Sequence, residues 1–274
     1  MKNSLSFYEI LNYPEPKFKD YFRIHEKKDI DYGFLNEKKF SRNEKDTLLN
    51  TYISHINKYS YLFKNLPFVN QIYLCNGITF NKLDSNSDID LLVVCKPNRL
   101  LLTRFYFSVF FTILGLRWFN NKQALKFDLG FFVTADSLNF FQQCIKPHDI
   151  YFFYWIAHLV PLYSENINNS NIVFEDNKWL SEFLLNWKPL QSIFLGVKLI
   201  SGKGIVKKTI EFLNYGIIGN IFESILKLVW LPIILIRAKK IGSRDDIYIT
   251  ENTLRFYRNS FRKKINTKYK NYRQ

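Results

Sequence analysis

The sequence is short of the residues that most often announce chemistry. It has three cysteines, Cys75, Cys95 and Cys144, and none stands in a C-x-x-C pair. That pattern indicates neither a zinc site nor a disulfide framework, and it fits a reducing cytoplasm. Among the four histidines, His148 and His158 have no companion at ligand or triad spacing and read as structural. The G-x-S-x-G, G-x-x-x-x-G-K-[ST] and H-E-x-x-H patterns are all missing. A nucleophile elbow, a Walker-type phosphate loop and a zincin helix are therefore excluded. Ser201-Gly-Lys-Gly204 is a lone Gly/Lys turn and reads as a helix break. The N-terminal M-K-N-S-L-S-F-Y-E-I-L holds too short an apolar run for a signal peptide, so a cytoplasmic protein is expected.

Acidic residues are the scarce sign of charge, 24 against 39 basic ones, which leaves a net charge of +15. Such a field attracts nucleotides, RNA or anionic lipid without choosing among them. The abundance of Lys, Asn, Ile, Phe and Tyr also fits an A·T-rich genome, so charge alone does not name a partner. What is plentiful is core material. A hydrophobic content of 47% with 18% aromatics excludes global disorder, and 274 residues suit one large or two modest domains.

One stretch organises the rest, Gly77 to Val94, G-I-T-F-N-K-L-D-S-N-S-D-I-D-L-L-V-V. The apolar run Ile72–Cys75 precedes it, a polar loop of Asn, Asp and Ser follows the glycine, and Asp88-Ile-Asp90 opens a second run, Leu91–Cys95. Both runs are short, aliphatic and bounded by turn residues, which predicts buried strands. Alternation then sends Asp88 and Asp90 to one face and Ile89 and Leu91 to the other. Two carboxylates on one face of an apolar strand repel and are costly to desolvate. A hard cation such as Mg²⁺ or Mn²⁺ between them relieves both penalties. The plainer alternative is a strand start with Asp90 half-solvated.

A third acid, Asp128, lies in Leu125-Lys-Phe-Asp-Leu-Gly-Phe-Phe-Val133. Alternation predicts Leu125, Phe127, Leu129 and Phe131 on one face, with Lys126, Asp128 and Gly130 on the other. Paired beside the D-x-D strand, Asp128 is placed to complete a metal site or to accept a proton from an attacking hydroxyl. Otherwise it belongs to a solvated strand face.

The order of apolar strand, Gly, short loop, S-D-I-D-L-L-V-V, helix and Asp-bearing strand resembles the nucleotidyltransferase superfamily of DNA polymerase β and kanamycin nucleotidyltransferase. The resemblance covers residues 68–135. It implies an α/β fold: a nucleotidyltransferase-type mixed sheet with flanking helices, followed by an all-α C-terminal region. It also implies transfer of a nucleoside monophosphate from an NTP, as ATP or another triphosphate, to an acceptor, with release of pyrophosphate. By resemblance Gly77 lies beneath the triphosphate, and Asp88 and Asp90 hold the Mg²⁺ (or Mn²⁺) that clamps it. With Asp128 they hold a second metal that acidifies the acceptor. The chain departs from the pattern at Ile78, where the family has Ser or Gly; Thr79, Ser85 and Ser87 are the hydroxyls able to substitute. Arg99-Leu-Leu-Leu-Thr-Arg104 and the Y-F-F-Y-W-I-A-H-L-V-P-L-Y segment (151–163) resemble a group of bacterial nucleotidyltransferase-domain proteins. The acceptor, whether protein, RNA or small molecule, is not specified. A non-catalytic nucleotide- or RNA-binding protein on the same fold is the alternative.

Around this core the pattern predicts a helical lead-in over 1–66, a core over 67–163 and a helical region over 178–274, with the Asn/Ser-rich stretch Ser164–Asn177 as boundary. Leu48, Leu49, Tyr52, Ile53, Ile56, Tyr59 and Leu62 form one helical stripe between Glu44 and Phe63. Arg99–Phe119 reads as a helix buried against the sheet, with Arg99 and Arg104 near its start as phosphate ligands or ordinary surface. Further helices are expected over 137–145, 149–159, 179–187, 190–200, 206–215 and 217–240. In the last, Glu223 and Lys227 read as an i,i+4 pair on a bundle helix, with a transmembrane span or peripheral membrane contact as the alternatives. The tail from Glu251 interleaves Arg255, Arg258, Arg262, Lys263, Lys264, Lys268, Lys270 and Arg273 with aromatics. It suits single-stranded nucleic acid, an anionic membrane surface that would make the protein peripheral to the membrane, or a solvated helix packing its aromatics on the body.

Overall fold

A computed structural model describes residues 25–26, 42–80, 83–117, 124–145, 149–185, 196–241, 247–256 and 262–267. Of the lead-in expected before residue 42, only His25–Glu26 is described, as a strand paired with Leu184–Leu185 where helix was expected. The rest of it, His148 and the tail positions Arg258, Lys268, Lys270 and Arg273 lie outside the described residues.

The helical stripe between Glu44 and Phe63 becomes α1 (Arg42–Tyr59), followed by a 3₁₀ segment, Ser60–Asn65. Leu49, Tyr52 and Ile56 are buried on the sheet, and the chain then enters β1 (Val69–Leu74). The D-x-D strand is β2 (Ile89–Cys95), antiparallel to β1. β3 (Phe127–Thr134) is parallel to β2, and a parallel pair needs a crossover. The helix α2 (Leu100–Ile113) supplies it, burying Leu100, Leu101, Phe107 and Phe111.

On the other side of the sheet α3 (Ile150–Ala157) is so apolar that nearly every side chain is buried. β4 (Val160–Ser164) then pairs with β1, and the short α4 (Ile172–Asp176) buries Val173 and Phe174. The mixed α/β fold is thus as expected, with a core layer on each face of one sheet. One layer holds Tyr52, Phe63, Phe107 and Phe111; the other holds Phe131, Trp155, Phe152 and Phe174.

The all-α C-terminal region is corrected. Beyond Asn177 the chain returns to the same sheet as β5 (Ile200–Ser201), β6 (Ile247–Ile249) and β7 (Thr253–Phe256). The sheet has seven strands in the order β5-β4-β1-β2-β3-β7-β6. Strands of two to four residues are too short to show a two-residue period, which is why the pattern hid them. Two helical expectations also fail. Residues 137–145 contain only a 3₁₀ turn, Phe141–Gln143, and Lys178–Glu182 is 3₁₀ and runs into the strand Leu184–Leu185. Of the helix expected over 190–200, residues 196–199 precede β5 without helix, while 190–195, like 186–187 of the helix before it, lie outside the described residues. The helices α5 (Ile205–Leu213) and α6 (Ile217–Ile241) form as expected.

Arg255 and Arg262, from the basic tail, are buried rather than presented to a partner. Arg255 sits on β7 and donates to Gln143 Oε1 at 2.9 Å. Arg262 lies over the Phe152 ring and pairs with Asp149. Lys263 and Lys264 remain exposed on the helical turn at 262–267.

Candidate functional site

Asp90 on β2 and Asp128 on β3 are directly opposite in the parallel register, and Asp88 immediately precedes β2. One carboxylate oxygen from each of the three lies within 4.8 Å of the others, and all three side chains are half-buried. The two-residue period of β2 brings this about. Ile89, Leu91 and Val93 join the layer that packs on α1 and α2, while Leu92 and Val94 join the α3 layer. Asp90, alternating with Leu91, is on the α3 side.

The reading of β3 needs one correction. Phe127 and Leu129 share a layer, but Phe131 belongs to the opposite one. Between Asp90↔Asp128 and Leu92↔Phe131 the register shifts, β3 advancing three residues while β2 advances two. This bulge flips the strand's faces after Asp128. Gly130 sits in it. A Cβ there would lie 3.0 Å from Asp128 Oδ2 and 3.2 Å from the Phe256 carbonyl, so the glycine leaves room for both. Nη1 of Arg104 donates to the Leu129 carbonyl at 2.6 Å, securing the bulge from the other face.

Electrostatics mark Asp90 as the strained member. Burial raises its pKa well above the ordinary carboxylate range, and the charges of Asp88 and Asp128 raise it further. A hydrogen bond from Asn76 opposes them. Asn76 has a left-handed backbone, φ 57°, a conformation that asparagine tolerates better than most residues. Its Oδ1 accepts the indole N–H of the buried Trp155 at 2.6 Å. With the oxygen so engaged, the amide nitrogen is the atom turned to Asp90. Trp155 is itself fixed between Phe131 and Phe152, each with its ring centre 5.5 Å away. Burial holds the neighbouring Cys75 thiol far above its usual pKa, aided by Asp90, Asp128 and Asp88, so it stays protonated.

The loop before β2 is tied down locally. Asp84 accepts the Asn86 N–H at 2.8 Å, and Ser87 Oγ accepts the Asp84 N–H at 2.9 Å. From α1, the Tyr52 hydroxyl donates to the Ser87 carbonyl at 2.6 Å. Burial raises the Tyr52 pKa against a backbone contact at Leu125, and the charges of Asp84 and Asp88 add to the rise. Thr79 is buried and its hydroxyl donates to the Asn76 carbonyl at 2.9 Å. Ile78 is buried in the core, and Gly77 lies with it in the turn following β1.

The structure therefore brings Asp88, Asp90 and Asp128 together beside the Gly77–Phe80 turn and the Ser87 loop. Of the two arginines, Arg99 is remote from them, and Arg104, on the far side of β3, interacts electrostatically with Asp128. Arg99 lies past the far end of β2, where its guanidinium donates to the Asn98 carbonyl at 2.7 Å and to Asn220 Oδ1 on α6 at 2.7 Å. Seven residues of strand put roughly 20 Å between that end and the acids. Arg104 is held between the rings of Phe132 and Phe256 at 5.1 and 5.0 Å. Burial there pushes its pKa down to about 10, against a partial pull upward from Asp128. Sequence reasoning missed Asn76 and Gly130 as parts of the site. The one legible signal was an Asn-Gly pair directly after an apolar strand.

Compared with protein-family models, with curated proteins and with solved structures, the chain gives no match. The donor set itself supports a fit to a cation. Three carboxylates and no sulfur or imidazole, with burial working against charge, match a hard divalent ion.

Proposed function

We propose that the chain is a metal-dependent nucleotidyltransferase on a nucleotidyltransferase-type sheet, moving a nucleoside monophosphate from an NTP to an acceptor hydroxyl or phosphate. The observation that carries this reading is the convergence of Asp88, Asp90 and Asp128 from two adjacent parallel strands to within 4.8 Å, beside a glycine turn. Asp88, Asp90 and Asp128 would hold Mg²⁺ or Mn²⁺. When bound, such an ion neutralises triphosphate charge and lowers the pKa of the acceptor.

The chain's own groups do the rest. Asn76, held by Trp155, keeps the Asp90 carboxylate turned into the cluster. The Gly77 backbone lets a phosphate approach without a side chain between. The acceptor oxygen forms a bond to the α-phosphorus as the bond from that phosphorus to the α–β bridging oxygen breaks. Pyrophosphate leaves, and the acceptor proton passes to a carboxylate of the cluster, Asp128 on the reading of its strand position.

A second reading has one specific observation behind it. Ile78 is buried, the Thr79 hydroxyl faces its own turn and Ser87 Oγ is engaged with Asp84. Two of the three candidate hydroxyls are thus engaged within the protein and only Ser85 is left exposed on the loop, as a non-catalytic nucleotide-binding protein on the same fold would allow.

The test is thermal shift with each NTP, with and without Mg²⁺, on wild type and on Asp88→Asn/Asp90→Asn, followed by an assay for pyrophosphate. Mg²⁺-dependent stabilisation lost in the double variant, with pyrophosphate released in the presence of cell lysate as acceptor source, is the expected result. Stabilisation without pyrophosphate favours the binding protein. No stabilisation by any NTP overturns both.

A further inference from the structure

The helix α5 is packed inside out, and α6 beside it leaves much of its apolar surface uncovered by the described residues. On α5 the residues turned to the protein are charged. Lys207 is fully buried, its Nζ 2.6 Å from Glu165 Oε2 and 3.1 Å from the Tyr163 hydroxyl, with the Val69 carbonyl as a further acceptor. Glu211, one turn on, accepts the Phe68 N–H at 2.7 Å and pairs with Lys96 at 2.7 Å. The apolar residues of the same helix, Ile205, Phe212 and Leu213, face outward, Phe212 at 80% exposure.

α6 packs a mixed face inward and leaves most of its apolar residues outside. Its inward stripe is Gly219, Glu223, Leu226, Trp230 and Ile234, spaced four, three, four and four residues as one helical face requires. Glu223 is buried there, and its carboxylate accepts the Leu101 and Leu102 N–H groups at 2.9 and 2.8 Å. These are among the unsatisfied donors of the first turn of α2. Outward lie Ile217, Ile221 and Leu228, with Ile217 at 77% and Leu228 at 78% exposure. Tyr215 and the left-handed Gly216 join the two helices, so the apolar surface runs on from one to the other.

An apolar helix alone says little, because the core helix of a soluble protein is also apolar. This one differs in being left uncovered by the described residues. Ile217–Ile236 is long and apolar enough to cross a bilayer, yet only 17% of its apolar window is buried in the fold. Burying charge inward and exposing Phe, Ile and Leu costs free energy in water, and a contiguous apolar surface of this kind marks a contact with an apolar phase or partner.

We propose that the α5–α6 face seats the protein on an anionic bilayer surface, lying in the interface without crossing it. Charge selects this occupant over a second copy of the chain. A protein with net charge +15 repels its own copy and is drawn to anionic lipid. Lys208 and Lys227 are exposed on the same two helices, and Arg237, Lys239 and Lys240 follow in the last turns of α6. Crossing is disfavoured because it would break the Glu223 bonds to α2 and the Arg99–Asn220 bond, and would immerse both Glu223 and Lys227 in hydrocarbon. The inference does not rest on the proposed transferase activity.

Flotation of the full chain with phosphatidylcholine vesicles, with or without about one part in three of phosphatidylglycerol, tests it. We expect flotation with the anionic vesicles, weakened by high salt and released by alkaline carbonate. The Phe212→Glu/Ile217→Glu/Leu228→Glu variant should lose binding about tenfold or more at unchanged Tm. A milder Phe212→Ser/Leu228→Ser pair gives the same direction if the triple variant folds poorly. Asp88→Asn/Asp90→Asn should float like wild type, which separates this outcome from that of the transferase reading. Absence of flotation, equal flotation of the surface variants or resistance to carbonate would overturn the proposal. So would a wild-type dimer in light scattering that the surface variants make monomeric.

Discussion

Asp90 and Asp128 stand directly opposite each other on adjacent parallel strands, two carboxylates in a position that ordinarily holds an attractive or apolar pair. Like charges placed so are destabilising, and burial of Asp90 adds to the penalty. The consequence is a trade between stability and function. Asp128→Asn should stabilise the metal-free protein by about 1 kcal/mol, seen as a higher Tm in EDTA. The same variant should lose most of the stabilisation that Mg²⁺ or Mn²⁺ gives to wild type. A lower Tm in EDTA would mean that the carboxylate is held for structure and not for a cation.

Asn76 reaches both Asp90 and Trp155, so its amide joins the acid cluster to the aromatic layer beneath it. Removing it leaves a buried indole N–H without its acceptor and lets Asp90 turn. Asn76→Ala should cost about 2 kcal/mol, part of it from the left-handed backbone, in urea unfolding. Divalent-ion affinity should fall about tenfold or more in calorimetric titration with Mn²⁺. Asn76→Gly keeps the backbone conformation and removes the same amide. Equal affinities in Asn76→Gly and wild type would show that the amide does not position Asp90.

The three acids were legible because each sits on or beside a strand long enough to show alternation, and the D-x-D spacing places two carboxylates on one face. The bulge at Gly130 was not. One inserted residue moved Phe131 to the opposite layer, and a period cannot announce its own interruption. Contacts across long separations were equally hidden. The bond from Trp155 to Asn76 spans 79 positions, and that from Tyr52 to Ser87 spans 35. A helix over 206–215 was legible, but not which side it packs inward, and its apolar residues lie outward. What turned it was the ion cluster of Lys207, Glu211, Glu165 and Lys96, whose members come from three separate segments. The strands β6 and β7 fell in what read as a basic helical region, where Arg255 looked like a partner's contact rather than a core residue.

His158 supplies a pH dependence whose sign can be worked out. It is fully buried between Phe80 and Tyr154, with ring centres at 4.8 and 6.1 Å, and its Nδ1 is 2.7 Å from the Tyr154 carbonyl. Burial lowers its pKa from 6.5 to about 4, only partly offset by that hydrogen bond. The folded protein therefore holds the neutral ring while the unfolded chain takes up a proton as pH falls through 6.5. Stability from this group is complete above 6.5 and declines on acidification until the folded ring also titrates near 4. The full loss is roughly 3 kcal/mol, of which about 2 is gone by pH 5. His158→Gln should be less stable than wild type at pH 7, because it loses the aromatic packing. The gap between the two should narrow by about 2 kcal/mol at pH 5 in urea unfolding, since the variant has no imidazole to protonate. A gap that stays constant from pH 7 to pH 5 would place the acid sensitivity of the fold in its carboxylates instead.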